Sequence, residues 1–185
     1  DTQRDFLYVG TFTSPPKIVK VALGAGNAAP TRVGALTLSI TRGAYCAAID
    51  VSNNVAYFGA DNHVVKVGLN YAPDPPFHIG TITLNAGEES LATVVRNNST
   101  NYLYFGTNTT PARVIKVGGG STLNPPFRAS ALTLNSGEND LWSSMLDASG
   151  GFAYFGTHSQ PGKVIKITLG SGTGAPGRVG AITLP

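Results

Sequence analysis

Short runs of alternating apolar and polar residues, four to seven residues long, recur from one end of the chain to the other. Glycine, proline, asparagine and serine separate them. Runs such as VIKITL and RVGAITL are rich in β-branched residues and bounded by turn formers, so each reads as a strand. No stretch of eleven or more residues places apolar side chains at i, i+3, i+4 and i+7, the spacing that one helix face needs. The pattern predicts an all-β chain.

The strands repeat as a set. FLYVGT, VAYFGA, YLYFGT and FAYFGT carry anchor glycines at Gly10, Gly59, Gly106 and Gly156, at intervals of 49, 47 and 50 residues. A β-branched run with a lysine follows each, around Lys20, Lys66, Lys116 and Lys166. Beyond a Gly/Pro/Asn loop come RVGALTL, HIGTITL, RASALTL and RVGAITL. A fourth element, visible three times, ends at Asp50, Asn97 and Asp147, and its small residues Ala47, Ala48, Ala92, Thr93, Ser143 and Ser144 suit a crowded axis.

A unit of this length buries its apolar faces only by stacking on its neighbours. Four antiparallel strands per unit describe a β-propeller blade, whereas solenoid coils are shorter. The expectation is one β-propeller domain over 1–185, with repeats at about 1–43, 44–89, 90–139 and 140–185. Asp1 aligns with Asp50, Asn97 and Asp147, so the first blade lacks its innermost strand and fifteen strands are expected. The open edge is costly. Sequence outside the chain, a strand donated by another subunit, or a ring with more blades would each cover it.

Composition narrows the partners. Charged residues make up 12 % of the chain, about half the usual share, and the net charge of +3 is spread thinly. No basic run supports nucleic-acid binding, and no apolar stretch is long enough to insert into a membrane as a helix. One cysteine, Cys46, excludes an internal disulfide framework and reads as apolar filler. The chain starts at Asp1 without an initiator Met or signal peptide, which reads as a processed product or a piece of something longer.

Asn97, Asn98 and Asn108 head N-glycosylation triplets and also suit turns. Prolines such as Pro30, Pro73, Pro75, Pro76, Pro125, Pro126 and Pro176 stiffen the loops between third and fourth strands. The four lysines could form an anion-binding ring, but the simpler reading is a partly solvated residue with a packed stem. Arg32, Arg128 and Arg178 lie near the rim and are candidates for subunit contacts. Glu88, Glu89 and Glu138 read as solvated turn residues. His63, His78 and His158 fall at different points of their repeats and make no metal-ligand spacing. Trp142 is a candidate sugar platform, against a competing role in core or channel packing.

The segments LNSGENDLWSSMLDASGGFAYFGT and FAYFGTHSQPGKVIKITL with RVGAITL resemble tandem repeats of secreted algal and stramenopile proteins, including mastigoneme-like proteins of flagellar filaments. The resemblance spans the chain and implies extracellular structural or adhesive work without a known reaction, which the N-glycosylation triplets and the missing strand extend to a glycosylated polypeptide with copies of itself or other subunits as partners. It also implies that loop prolines can be hydroxylated and O-glycosylated. Blade two departs from the pattern, with a shortened turn at Asp61–Asn62 and Thr41–Arg42 in place of Gly–Glu. The expected function is therefore an extracellular structural or interaction module with no cofactor. The alternatives are a carbohydrate-binding propeller and, more remotely, a propeller lactonase or lyase.

Overall fold

The computed structural model describes residues 1–69 and 74–185, and Pro73 of the proline-rich loops lies outside them. Among these residues, fifteen strands form four antiparallel sheets. The first sheet has three strands, β1 (Phe6–Gly10), β2 (Lys17–Ala22) and β3 (Thr31–Thr37). The second holds β4 (Cys46–Asp50), β5 (Val55–Ala60), β6 (His63–Gly68) and β7 (Phe77–Thr83). The third holds β8 (Leu91–Asn97), β9 (Tyr102–Thr107), β10 (Arg113–Gly118) and β11 (Phe127–Thr133). The fourth holds β12 (Leu141–Asp147), β13 (Phe152–Thr157), β14 (Lys163–Thr168) and β15 (Gly177–Thr183). The innermost strands β4, β8 and β12 lie beside one another and the sheets fan outward, a propeller-like arrangement.

Local chemistry accounts for the turns. Asp50, Asn97 and Asp147 end the innermost strands, and each accepts backbone N–H bonds from the following turn, at 3.1 Å from Asn53, 3.0 Å from Ser99 and 2.9 Å from Gly150. Each turn then closes through a left-handed residue, Asn54, Asn101 or Gly151, with Asp5 in the same place before β1. These are residue types that tolerate φ near +60°.

The core lies between sheets. Ile18, Phe58, Val65 and Val67 join the first blade to the second, and Tyr57, Leu103, Phe105 and Ile115 join the second to the third. Tyr104, Phe155, Ile165 and Ile167 join the third to the fourth. Each buried side chain of this size contributes roughly 1.5–3 kcal/mol.

The repeated lysines bind these interfaces together. Register places each beside the repeat tyrosine, Tyr57 with Lys66 and Tyr104 with Lys116, and a bulge follows the lysine in every sheet. Lys66 Nζ donates to the carbonyls of Gly119, Ser121 and Asn124 in the next blade at 2.8, 2.5 and 3.0 Å. Lys116 does the same to Leu169, Gly170 and Gly174 at 2.9, 2.9 and 3.2 Å. Tyr57 and Tyr104 donate their hydroxyls to Gly119 and Leu169, each at 3.0 Å. Lys20, Lys66 and Lys116 are fully buried, which corrects the expectation of partly solvated residues and removes them from any anion-binding ring. Ammonium ions survive burial here because carbonyl dipoles replace water.

Candidate functional site

The turn between second and third strands opens on the same face as the start of each innermost strand. Ser90 and Asp140, both left-handed with φ of 57° and 53°, precede β8 and β12. Their carbonyls accept the N–H groups of Asn108 and His158 at 2.8 and 2.7 Å, which fixes the two hairpin turns against the entries to the innermost strands. Trp142, the second residue of β12, thereby stacks on the His158 ring at 5.0 Å between centroids. Tyr45, just before β4, packs on Phe12 at 4.9 Å.

Between them lies a cavity of about 280 Å³ lined by Tyr45, Ser90, Leu91, Ala92, Asn108 and Trp142. Tyr45 and Trp142 are 53 % and 57 % exposed, so both are accessible from solvent. The site thus combines two aromatic platforms, a carboxamide, a hydroxyl and, behind Trp142, an imidazole. Such a set binds a flat or ring-shaped polar molecule, with the polar groups fixing its orientation.

Other expected residues fall elsewhere. Arg128 donates to Glu88 through Nε at 2.7 Å and Nη2 at 2.5 Å. Arg178 grips Glu138 with Nε at 2.9 Å and Nη2 at 2.6 Å. These pairs fasten the loop entering a blade to that blade's outermost strand, so both arginines have partners within the chain. Glu88 and Glu138 are buried, contrary to the solvated-turn reading. Hydrogen bonds from Arg178 hold the Glu138 carboxyl below the ordinary range despite burial. For Glu88 burial pushes upward, and the Arg128 and Asn85 hydrogen bonds prevail. Arg32 is exposed.

Asn97 is buried and its Oδ1 is taken by the turn, whereas Asn98 and Asn108 are exposed. Burial pushes the Cys46 thiol up to about 12, which fits filler and not a nucleophile. His63 and His78 line a separate cavity near the rim with Thr81 and Thr83. Among the described residues no three His, Cys, Asp or Glu side chains gather as a metal site.

Sequence reasoning kept Trp142 but passed over Phe12, Ser90 and His158. A signal was present. Two residues beyond each anchor glycine stand Phe12, Asp61, Asn108 and His158, and at the entry to each innermost strand stand Tyr45, Ala92 and Trp142. Both columns differ from blade to blade, and the structure places Tyr45, Ala92, Asn108 and Trp142 around one mouth.

No protein-family model matches the chain, and no curated protein matches it. Solved structures do. The periplasmic gluconolactonase PpgL of Pseudomonas aeruginosa is similar at TM-score 0.75 and 11 % identity, covering 100 % of this chain and 56 % of its own. A putative 6-phosphogluconolactonase from Bacteroides fragilis is similar at TM-score 0.72 and 10 % identity, covering 91 % and 52 %. Sqt1 of Chaetomium thermophilum, solved bound to the N-terminus of ribosomal protein L10, is similar at TM-score 0.67 and 13 % identity, covering 93 % and 44 %. The fold is propeller-like.

The chain spans about half the length of the structures it matches. The neighbours overturn the expectation of an extracellular structural module without catalysis. The gluconolactonase and 6-phosphogluconolactonase neighbours share this architecture.

Proposed function

We propose that the chain belongs to a propeller that binds and hydrolyses a sugar-derived lactone at the mouth formed by Tyr45, Asn108 and Trp142. The observation that carries this reading is the Trp142–His158 stack beside the cavity, 5.0 Å between ring centroids. An indole face accepts the apolar face of a sugar ring. The Asn108 amide and the Ser90 hydroxyl then bond to ring hydroxyls. In this reading a water in the cavity attacks the lactone carbonyl and gives a proton to solvent, while His158 supports the indole from behind. The ring C–O bond breaks, and a proton returns from solvent to the departing oxygen, giving the open hydroxy acid. The lactonase neighbours support the choice of substrate class.

Trp142 is the chain's one tryptophan, so its fluorescence reports binding directly. Titration with glucono-δ-lactone and gluconate should shift that emission, and lactone opening should exceed the buffer rate in a pH-stat. His158→Ala should remove the ring that supports the indole and weaken binding several-fold, read by the same fluorescence titration. Trp142→Ala should weaken binding at least tenfold, read by calorimetry. Binding without turnover in the unmutated chain would leave a carbohydrate-binding propeller, and a silent tryptophan would remove both readings.

A further inference from the structure

In the third and fourth blades one carboxylate sits among matching donors. Glu88 accepts from Arg128 Nε at 2.7 Å and from the Asn85 backbone N–H at 3.1 Å. Glu138 accepts from Arg178 Nε at 2.9 Å and from the Asn135 N–H at 3.0 Å. A second cation attends each of these loops. Arg113 Nη1 donates to Ala86 O at 3.4 Å, and Lys163 Nζ stands 3.4 Å from the place that a methyl group on Gly137 would take.

The second blade keeps both nitrogen-bearing positions and lacks the acid. His63 pairs in register with Thr83 as Arg113 does with Thr133 and Lys163 with Thr183. His78 pairs with Val67 as Arg128 does with Val117 and Arg178 with Ile167. The loop entering the blade offers Thr41 and Arg42 instead of Gly–Glu, and the Arg42 side chain is 67 % exposed with its Nε 3.7 Å from Asp61. Ser39 follows the repeat leucine as Asn85 and Asn135 do, and among the described residues its backbone N–H donates to no acceptor. Thr81 is a further departure. It stands where the other sheets carry Ala35, Ala131 and Ala181, and its Oγ1 lies 2.9 Å from His78 Nε2. These changes meet in one cavity of about 440 Å³, lined by both histidines and by Thr37, Ser39, Thr81 and Thr83.

We infer that this cavity binds a small hydroxylated carboxylic acid, of the sugar-acid class, whose carboxylate takes the place that Glu88 and Glu138 fill from within the chain in the next two blades. The ring N–H groups of His63 and His78 and the Ser39 amide donate to the carboxylate, as the arginines and the Asn85 and Asn135 amides do to the internal ones. A carboxylate alone would leave most of 440 Å³ unfilled, so the ligand has a body, and four lining hydroxyls suit a body that carries hydroxyls of its own. The site lies between the first two blades, apart from the mouth at Trp142, and does not depend on the lactone reading.

The chain has three histidines, two in this cavity and one behind Trp142, so their ring resonances in a carbon–proton correlation spectrum report the two places separately. Titration with gluconate should move the His63 and His78 resonances to saturation, and sorbitol, a polyol of the same length without the carboxylate, should leave them in place. Thr81→Ala restores the residue of the other three sheets, so it keeps the fold and should weaken gluconate several-fold. Thr41→Gly with Arg42→Glu supplies the carboxylate from within and should abolish the response. Rings that stay still with gluconate, or move equally with sorbitol, would overturn the inference. So would inorganic phosphate binding more tightly than gluconate, zinc moving both rings where gluconate moves neither, or gluconate affinity unchanged in both variants. A shift of His158 alone would place gluconate at the mouth, overturning this site while leaving the lactone reading standing.

Discussion

Lys66 is the side chain on which two blades depend most visibly. Its ammonium is fully buried and satisfied by three carbonyls from the neighbouring sheet, and burial draws its proton affinity below the usual lysine range. Lys66→Met keeps the apolar stem and orphans those carbonyls, so stability should fall by about 3 kcal/mol, measured as a lower urea midpoint at unchanged slope. Glu138 gives a pH-dependent counterpart. Its folded carboxyl titrates below its unfolded value of about 4.3, so its contribution is complete above that value and is lost as pH falls through the lowered folded value. Urea midpoints taken from about pH 6 down to about pH 2 should decline, and Glu138→Gln should flatten part of that decline while lowering the neutral plateau. The lysine was legible as a column in the sequence, but its burial was not. Only the pairing of Lys66 with a loop 53 residues further on reveals a carbonyl cradle, and a backbone acceptor leaves no mark in residue types.

At the scale of one blade, the second differs from the third and fourth by a coordinated change. Arg42 and His78 stand where the others carry Glu88 with Arg128 or Glu138 with Arg178, and Thr41 stands where Gly87 and Gly137 adopt φ near +80°. The loop entering blade two therefore lacks the clamp, and His78 turns instead to Thr81 at 2.9 Å. Transplanting the set as Thr41→Gly, Arg42→Glu and His78→Arg should raise stability by about 1–2 kcal/mol in denaturant titrations. Arg42→Glu alone should give no gain, because its partner is missing and the loop cannot take the left-handed turn. The strands themselves were legible almost residue for residue, since alternation and turn formers act locally. The clamp was not. It joins positions 40 residues apart, and acidic turn residues resemble solvated ones until the arginine that faces them is known.

Among the described residues, the second and third sheets are covered on both faces and the first and fourth on one. Amide exchange in this chain should be slowest in β5, β6, β9 and β10 and fastest in β1 and β15, read by mass spectrometry of exchanged peptides. Uniform protection across all four sheets would contradict that ordering. The propeller-like plan was legible because its signal is repeated, and the candidate mouth was not because its signal is the departure from repetition. Trp142, His158 and Tyr45 look like noise in an alignment of the four units and become a site only when the sheets fan around an axis.

The contacts of Lys66 and Lys116 have a sense, each from one blade to the carbonyls of the next. A unit built this way can be duplicated in tandem with no new chemistry, because each added copy arrives already carrying the bond to its successor and the receptor for its predecessor. Such a fold grows or shortens by whole units under recombination and tolerates the change in between. That leaves selection free to rewrite the two varied columns without reopening the question of how the molecule holds together.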